Sequence, residues 1–163
     1  MTAATAELHS RSPLSTERHG AALGRALRAG DVLVLEGPLG AGKTCLARGI
    51  VAGAGGDPTT VRSPTFVLHQ PHRGTDITVH HIDLYRLGAG ASVEVFDLDT
   101  LLSDGAAVVE WGGYADLGEL HPTTVTINED GGGTGRVLRM EPGAAAHLEH
   151  AWARLHDAAV NES

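Results

Sequence analysis

The chain has 163 residues, 42% of them hydrophobic, which predicts a single domain with its own core. Its 20 acidic against 12 basic residues leave a formal net charge of −8, which disfavours a direct grip on a nucleic-acid backbone but leaves contact through a partner open. One cysteine, Cys45, excludes an internal disulfide and fits a reducing compartment; with no apolar run near the roughly 20 residues of a membrane helix and no secretory signal in the opening MTAATAELHS, the expectation is a cytoplasmic protein.

In chain order, residues 1–12 read as a loose polar, flexible arm. LSTERHGAALGRALRAGD reads as a helix capped by Ser15 or Thr16, with Leu23 and Leu27 on one face and Gly30 as its stop. DVLVLEG is a short apolar run ending in a turn, as expected of a strand buried on both faces. GKTCLARGIVAGAG is the helix that follows. VRSPTFVLHQPH contains Ser-Pro, which imposes an extended or turning backbone. DITVHHIDLYRL alternates and is β-branched, so it is a strand whose polar end runs from Asp83 to Arg86. GASVEVFDLDTLLSDG suggests a short helical connection, and AAVVEWGGYA a second buried strand ending in a carboxylate. TTVTINEDGGGTGRVLRMEP is a hairpin around a glycine-rich turn. AAAHLEHAWARLHDAAV is a terminal amphipathic helix, with His147, His150 and His156 on its solvated face. Strands alternating with helices predict an α/β fold, a mixed sheet covered on both faces with an antiparallel C-terminal hairpin. Nothing in residues 1–163 marks a second domain.

One motif carries chemistry. Gly37, Pro38, Leu39, Gly40, Ala41, Gly42, Lys43 and Thr44 spell G-x-x-x-x-G-K-[ST] between an apolar strand and a helix. A polyphosphate needs several backbone N–H groups aimed at it at once, a shape and closeness that Cβ atoms obstruct. The helix N-terminus adds its dipole, Lys43 a cation and Thr44 a hydroxyl for Mg²⁺. Cys45, next on the helix, reads as a small core hydrophobe rather than a reactive thiol. Asp83 and Glu110 each close a buried-type strand, where sites of open α/β sheets collect. Either could bind Mg²⁺ or orient water. Ser63, Pro64, Thr65 and Phe66 read by themselves as a Pro-bearing connector, although they lie where a switch segment would touch the metal or the γ-phosphate.

LEGPLGAGKT, SPTF, HHIDLYRL and VVEW, in this order in so short a chain, resemble the bacterial TsaE (YjeE) family of P-loop ATPases. The resemblance runs from about Thr16 through the hairpin. It implies a P-loop NTPase-type three-layer fold with a mostly parallel mixed sheet. It implies binding of ATP and Mg²⁺, weak hydrolysis alone, and support for the threonylcarbamoyl modification of adenosine 37 in tRNAs that read ANN codons. TsaD and TsaB would be its partners, with tRNA reached only through them. Residue by residue, it implies that Gly37 to Thr44, with Cys45, hold the nucleotide. Lys43, Asp83, Glu110 and the nucleotide-sensing Thr65 serve catalysis, and Thr44 and Glu110 hold the metal. His81, Asp83, Tyr85 and Arg86 match its H-x-D-L-Y-R, and Glu110 with Trp111 its EW pair. Glu94 and Leu98 fit a connector loosely. Asp97 stands where that connector has glycine, Gly112 where proline or alanine is common, and Val67 and His72 replace threonine and tyrosine.

Other readings stay open. Arg86 answers phosphate charge or pairs with Asp83 or Glu110. Trp111 and Tyr85 stack on a ligand, dock a partner, or belong to the core. His69, His72, His80 and His81 cluster without cysteine at ligand spacing, so no zinc is expected. A small-molecule kinase using the same loop, or a nucleotide-gated binding module without required turnover, are the alternatives; charge and size disfavour a nucleic-acid motor.

Overall fold

A computed structural model describes residues 6–62 and 68–162; the expected switch segment with Ser63, Pro64, Thr65, Phe66 and Val67 lies outside them. Among the described residues seven strands form one sheet in the order β1-β7-β6-β2-β5-β4-β3. They are β1 (Glu7–Ser10), β2 (Val32–Glu36), β3 (His69–Arg73), β4 (Thr78–Asp83), β5 (Gly105–Glu110), β6 (Thr123–Glu129) and β7 (Arg136–Glu141). The centre, β6-β2-β5-β4, is parallel. The hairpin partner β7 runs against β6, and β1 runs against β7 and so along with the centre. With β3 antiparallel to β4, only β3 and β7 oppose the common direction. The sheet is mixed and mostly parallel, as expected.

Helices lie on both faces, the three-layer arrangement that lets a central strand be apolar throughout. α1 (Pro13–Ala26), α2 (Lys43–Gly53) and α4 (Ala146–Asn161) cover one face; α3 (Leu98–Asp104), with single 3-10 turns, covers the other. Strand residues divide by parity: Leu33, Leu35, Ala106 and Val108 join the first core, Val32, Val34, Ala107 and Val109 the second. α1 and α2 approach backbone to backbone. A Cβ on Gly20, Gly24, Gly49 or Gly53 would collide with a main-chain oxygen of the facing helix, so each helix presents a small-x-x-x-small stripe to the other. No helix of the described residues is long and apolar enough to cross a membrane.

Four expectations need correction. The N-terminal arm is not loose over Glu7–Ser10: these residues pair with β7, and Leu8 is fully buried. The alternating ELHS is too short to announce a strand, and its partner lies more than a hundred residues away. The cap of α1 is Ser12, whose Oγ accepts from the Ser15 amide, with Pro13 at the first helical position; proline suits that position because its missing N–H would have no helical partner. Thr16 instead hydrogen-bonds Ser10. Gly30 does not stop α1, which ends at Ala26 with Leu27 as its C-cap. Finally, His147 is not on a solvated face: its Nε2 lies 2.6 Å from Asp31 Oδ2, tying α4 to the start of β2.

Candidate functional site

β2 delivers the chain to the loop at the carboxyl edge of the sheet, and α2 carries it away. Two loop glycines are required by geometry. Gly42 caps α2 with φ +112°, and a Cβ there would meet Ile127 Cδ1 at 3.3 Å. Gly37 has φ +149°, and its Cβ would strike the Ile127 carbonyl. Both conformations disfavour L side chains. The loop thus rests on β6 and curls over the helix N-terminus. The amides of Gly42, Lys43 and Thr44 meet no acceptor among the described residues; the first helical bond is Leu46 N–H to Gly42 O, 2.9 Å. A row of unsatisfied N–H groups at a helix start attracts anions.

Lys43 turns back into this curl. It is 5% exposed, and Nζ donates to Gly37 O at 2.5 Å and Pro38 O at 3.0 Å. The same ammonium sits 4.2 Å from the centre of the Trp111 ring. Burial lowers its pKa from the ordinary lysine value, opposed by the charges of Glu110, Asp83 and Glu36. Those three acids end β5, β4 and β2, and in the parallel ladder Asp83 and Glu110 are direct neighbours. Asp83 is 5% exposed and Glu110 2%. Asp83 Oδ1 accepts the Tyr85 amide at 2.8 Å and so also caps the turn that follows β4. Its other oxygen is left for the cleft. Desolvation, and secondarily Glu110, push the Asp83 pKa up to about 6, against the Tyr85 amide, His81 and Lys43. Glu110 is not an edge-exposed acid: its Oε2 lies 2.5 Å from His81 Nε2, itself 2% exposed.

A cavity of about 360 Å³ opens between these groups, lined by Leu39, Gly40, Gly42, Lys43, Thr44, Arg48, Asp83, Tyr85, Glu110 and Trp111. The loop residues, Lys43, Thr44 and both strand-end acids named from sequence therefore converge. Pro38 contributes its carbonyl to Lys43 and Ala41 is buried beneath the loop. Cys45 does not face the cavity. Its Sγ lies 3.2 Å from Pro13 O, half-buried against α1, where burial raises the thiol pKa. Thr65 lies outside the described residues. Arg86 is exposed and forms no ion pair with Asp83 or Glu110 among the described residues. Trp111 stacks on Tyr114 and tilts against Tyr85 at the cavity wall, so neither Trp111 nor Tyr85 is simply core. Asp97 keeps the left-handed turn of the glycine it replaces, at φ +45°. The histidines have separate partners: His69 meets His80 at 3.0 Å, and His72 meets Thr60 Oγ1 at 2.9 Å.

Three residues escaped the sequence reading. Arg48 lies four residues after Thr44, hence on the same helical face; that spacing was the available signal. Glu36 ends β2 and accepts the Gly113 amide at 2.7 Å; like Asp83 and Glu110 it is an acid closing a buried strand. Arg136 donates to carbonyls of the loop from the hairpin, which no local pattern announces.

A divalent ion would suit this donor set. Two carboxylates lie buried side by side, and the raised pKa of Asp83 records first the cost of desolvation and then the charge of Glu110; a hard cation relieves both and prefers oxygen ligands. Among the described residues no three His, Cys, Asp or Glu side chains form a ready-made metal cage. Magnesium does not demand one, because phosphate oxygens and water complete its shell.

A family model described as "Threonylcarbamoyl adenosine biosynthesis protein TsaE" matches residues 10–136. The "tRNA threonylcarbamoyladenosine biosynthesis protein TsaE" of Mycobacterium bovis is 49% identical over 102 residues, 57% of this chain and 60% of that protein. The protein of the same name from Treponema pallidum is 42% identical over 123 residues, 73% of this chain and 87% of that one. The chain thus spans about 60% of the length of the mycobacterial relatives it matches. The crystal structure of Bacillus subtilis YdiB shares the fold, with a TM-score of 0.70 at 22% identity over 93% of this chain and 95% of that one.

Proposed function

The chain belongs to the TsaE family, and we propose that residues 1–163 form one P-loop domain that binds ATP with Mg²⁺ and hydrolyses it slowly, in support of threonylcarbamoyl modification of tRNA in the cytoplasm. The observation that carries this is the convergence, in one cavity, of the open loop amides, Lys43, Thr44 and two adjacent buried carboxylates. The family's relatives are named for tRNA threonylcarbamoyladenosine biosynthesis.

In this reading Lys43 exchanges the Gly37 and Pro38 carbonyls for oxygens of the β- and γ-phosphates. The amides of Gly42, Lys43 and Thr44 hold the β-phosphate and pre-orient the terminal one, which matters because phosphoryl transfer is catalysed chiefly by positioning and charge stabilisation. Thr44 supplies its hydroxyl, and Glu110 a carboxylate oxygen, to the metal. Bound magnesium would neutralise charge developing on the phosphate oxygens. Asp83 would help hold the metal or orient the attacking water. His81 fixes one oxygen of Glu110 and leaves the other for the cleft. Leu39 and the Tyr85–Trp111 wall limit water around the phosphates. Among the described residues Arg86 makes no hydrogen bond or ion pair that would aim it at a phosphate, consistent with slow turnover by the chain alone.

TsaD and TsaB, the partners that the resemblance implies, are proposed as the proteins it acts on, with tRNA met only through them; the net charge of −8 suits that indirect contact. The test mixes the full chain with the TsaB–TsaD pair and measures association with ATP, with ADP and without nucleotide. Nucleotide-dependent association is expected. Equal, negligible association in all three, or no heat on titrating Mg·ATP into the chain, overturns the proposal.

A further inference from the structure

Arg136 opens β7, just past the glycine-rich turn of the hairpin, and its guanidinium meets no carboxylate among the described residues. All its hydrogen bonds go to main-chain carbonyls. Nε donates to Ala41 O at 2.8 Å, Nη1 to Gly135 O at 3.0 Å, and Nη2 reaches Gly40 O at 3.5 Å. The first and last belong to the phosphate-type loop, some ninety-five positions earlier in the chain. An arginine held by carbonyls alone is not neutralised, and its planar fork fixes the groups it touches.

Peptide planarity gives those contacts a consequence. In a trans peptide the C=O and the following N–H point in opposite directions. Anchoring Ala41 O on Arg136 therefore turns the Gly42 N–H away from the hairpin and into the cavity. A charged donor on the carbonyl also polarises the peptide, which strengthens that N–H as a donor. The preceding peptide is held at both ends, with Gly40 O near Arg136 and the Ala41 amide on Pro38 O at 3.1 Å. Beneath, Ile127 of β6 closes the space below Gly42. The hairpin thus grips the loop from behind, at the point where the chain must present its amides to an anion.

We infer that Arg136 is a positioning residue for the nucleotide: from the hairpin it holds the Gly40 and Ala41 carbonyls outward so that the loop amides face the β-phosphate. This rests on the phosphate-binding reading of residues 37–44. Because the amides serve any nucleotide with a β-phosphate, loss of Arg136 weakens ADP and ATP alike. A residue acting on the γ-phosphate would weaken ATP selectively.

The test is titration calorimetry of the full chain with Mg·ADP and with Mg·ATP. Arg136→Met keeps the aliphatic stem and removes the donors; it is expected to bind both nucleotides about tenfold more weakly, the scale of one charge-assisted hydrogen bond. Arg136→Ala is expected to behave likewise and to regain affinity when low-millimolar guanidinium ion is added, with no such gain in the unaltered chain. Arg136→Lys, able to reach one carbonyl, should fall between, and it carries the test if the Met variant does not fold. Wild-type affinity in Arg136→Met or Arg136→Lys overturns the inference, as does a loss that guanidinium does not restore or one confined to ATP. An unaltered chain that binds neither nucleotide overturns the phosphate reading first and the role of Arg136 with it.

Discussion

Asp83→Asn is expected to make the nucleotide-free chain more stable while removing metal-assisted chemistry. Asn is nearly isosteric with Asp, and its Oδ1 still accepts the Tyr85 amide that Asp83 accepts at 2.8 Å. What it removes is a buried charge beside Glu110. Asp83 has its pKa raised from 3.8 to about 6. A carboxyl shifted upward favours the fold when protonated, so its contribution is complete below about pH 4 and is lost as pH rises through 6. The full gap is worth about 3 kcal/mol at pH 8, the favourable effects of Lys43 and His81 already included. At pH 5 about half of that penalty is already felt, because the unfolded carboxyl has ionised while the folded one has not. The stability advantage of the variant should therefore grow by roughly 1 kcal/mol, on the order of tenfold in the folding constant, between pH 5 and pH 8. Urea unfolding of both chains at the two pH values, with EDTA present, measures this directly. Thermal midpoints should separate by a further few degrees at the higher pH, since a domain of this size moves roughly 2–4 °C per kcal/mol. An advantage that is the same at both pH values, or a variant less stable at pH 8, would refute the account of Asp83 as a charge held in place at a cost.

Four further outcomes are expected. Lys43→Met should fold and lose Mg·ATP binding by at least a hundredfold in calorimetry, because the cation facing the phosphates is gone while the stem still packs on Trp111. Thr44→Ala should weaken Mg·ATP while leaving metal-free ATP binding nearly unchanged, the difference being read by titration with and without EDTA. His81→Phe strands the Glu110 carboxylate at 2% exposure and should cost roughly 3 kcal/mol or more in urea unfolding at pH 8; His81→Gln, which can still donate, should recover part of it. Gly24→Ala puts a Cβ against the Ile50 carbonyl of α2 and should cost on the order of 1–3 kcal/mol, with nucleotide affinity per folded molecule unchanged.

The site was legible in the sequence to the extent that it is built from local pattern. The loop needs glycines and Lys43 within eight residues, and strand ends reveal themselves where an apolar run meets an acid, as at Asp83 and Glu110. Glu36 obeys the same rule but runs directly into Gly37, so in the sequence it reads as part of the loop motif and not as a strand-end acid. Features made by distant pairing were hidden. ELHS becomes β1 only because β7 lies beside it; His147 leaves solvent only because Asp31 awaits it; Arg136 reaches Ala41 through the closing of the hairpin. Gly20, Gly24, Gly49 and Gly53 keep helical four-residue spacing and allow two backbones to touch, but among 22 glycines such pairs do not stand out until the helices are side by side. The cap of α1 was missed for a simpler reason: Pro13 marks the first turn and points to Ser12.

The turn after β5 places Trp111 in a left-handed conformation, φ +60°, that bulky residues rarely adopt, and thereby lays its indole against the Lys43 ammonium at 4.2 Å. The chain's other tryptophan, Trp152, is fully buried on α4 with its Nε1 bonded to Ala6 O. With Trp152 replaced by phenylalanine, the remaining tryptophan emission would come from Trp111 alone, and on the proposed reading the ammonium against its ring would turn toward the phosphates. The molecule thus carries its own unlabelled optical probe of occupancy, and stopped-flow mixing could follow ligand arrival and departure without altering the nucleotide.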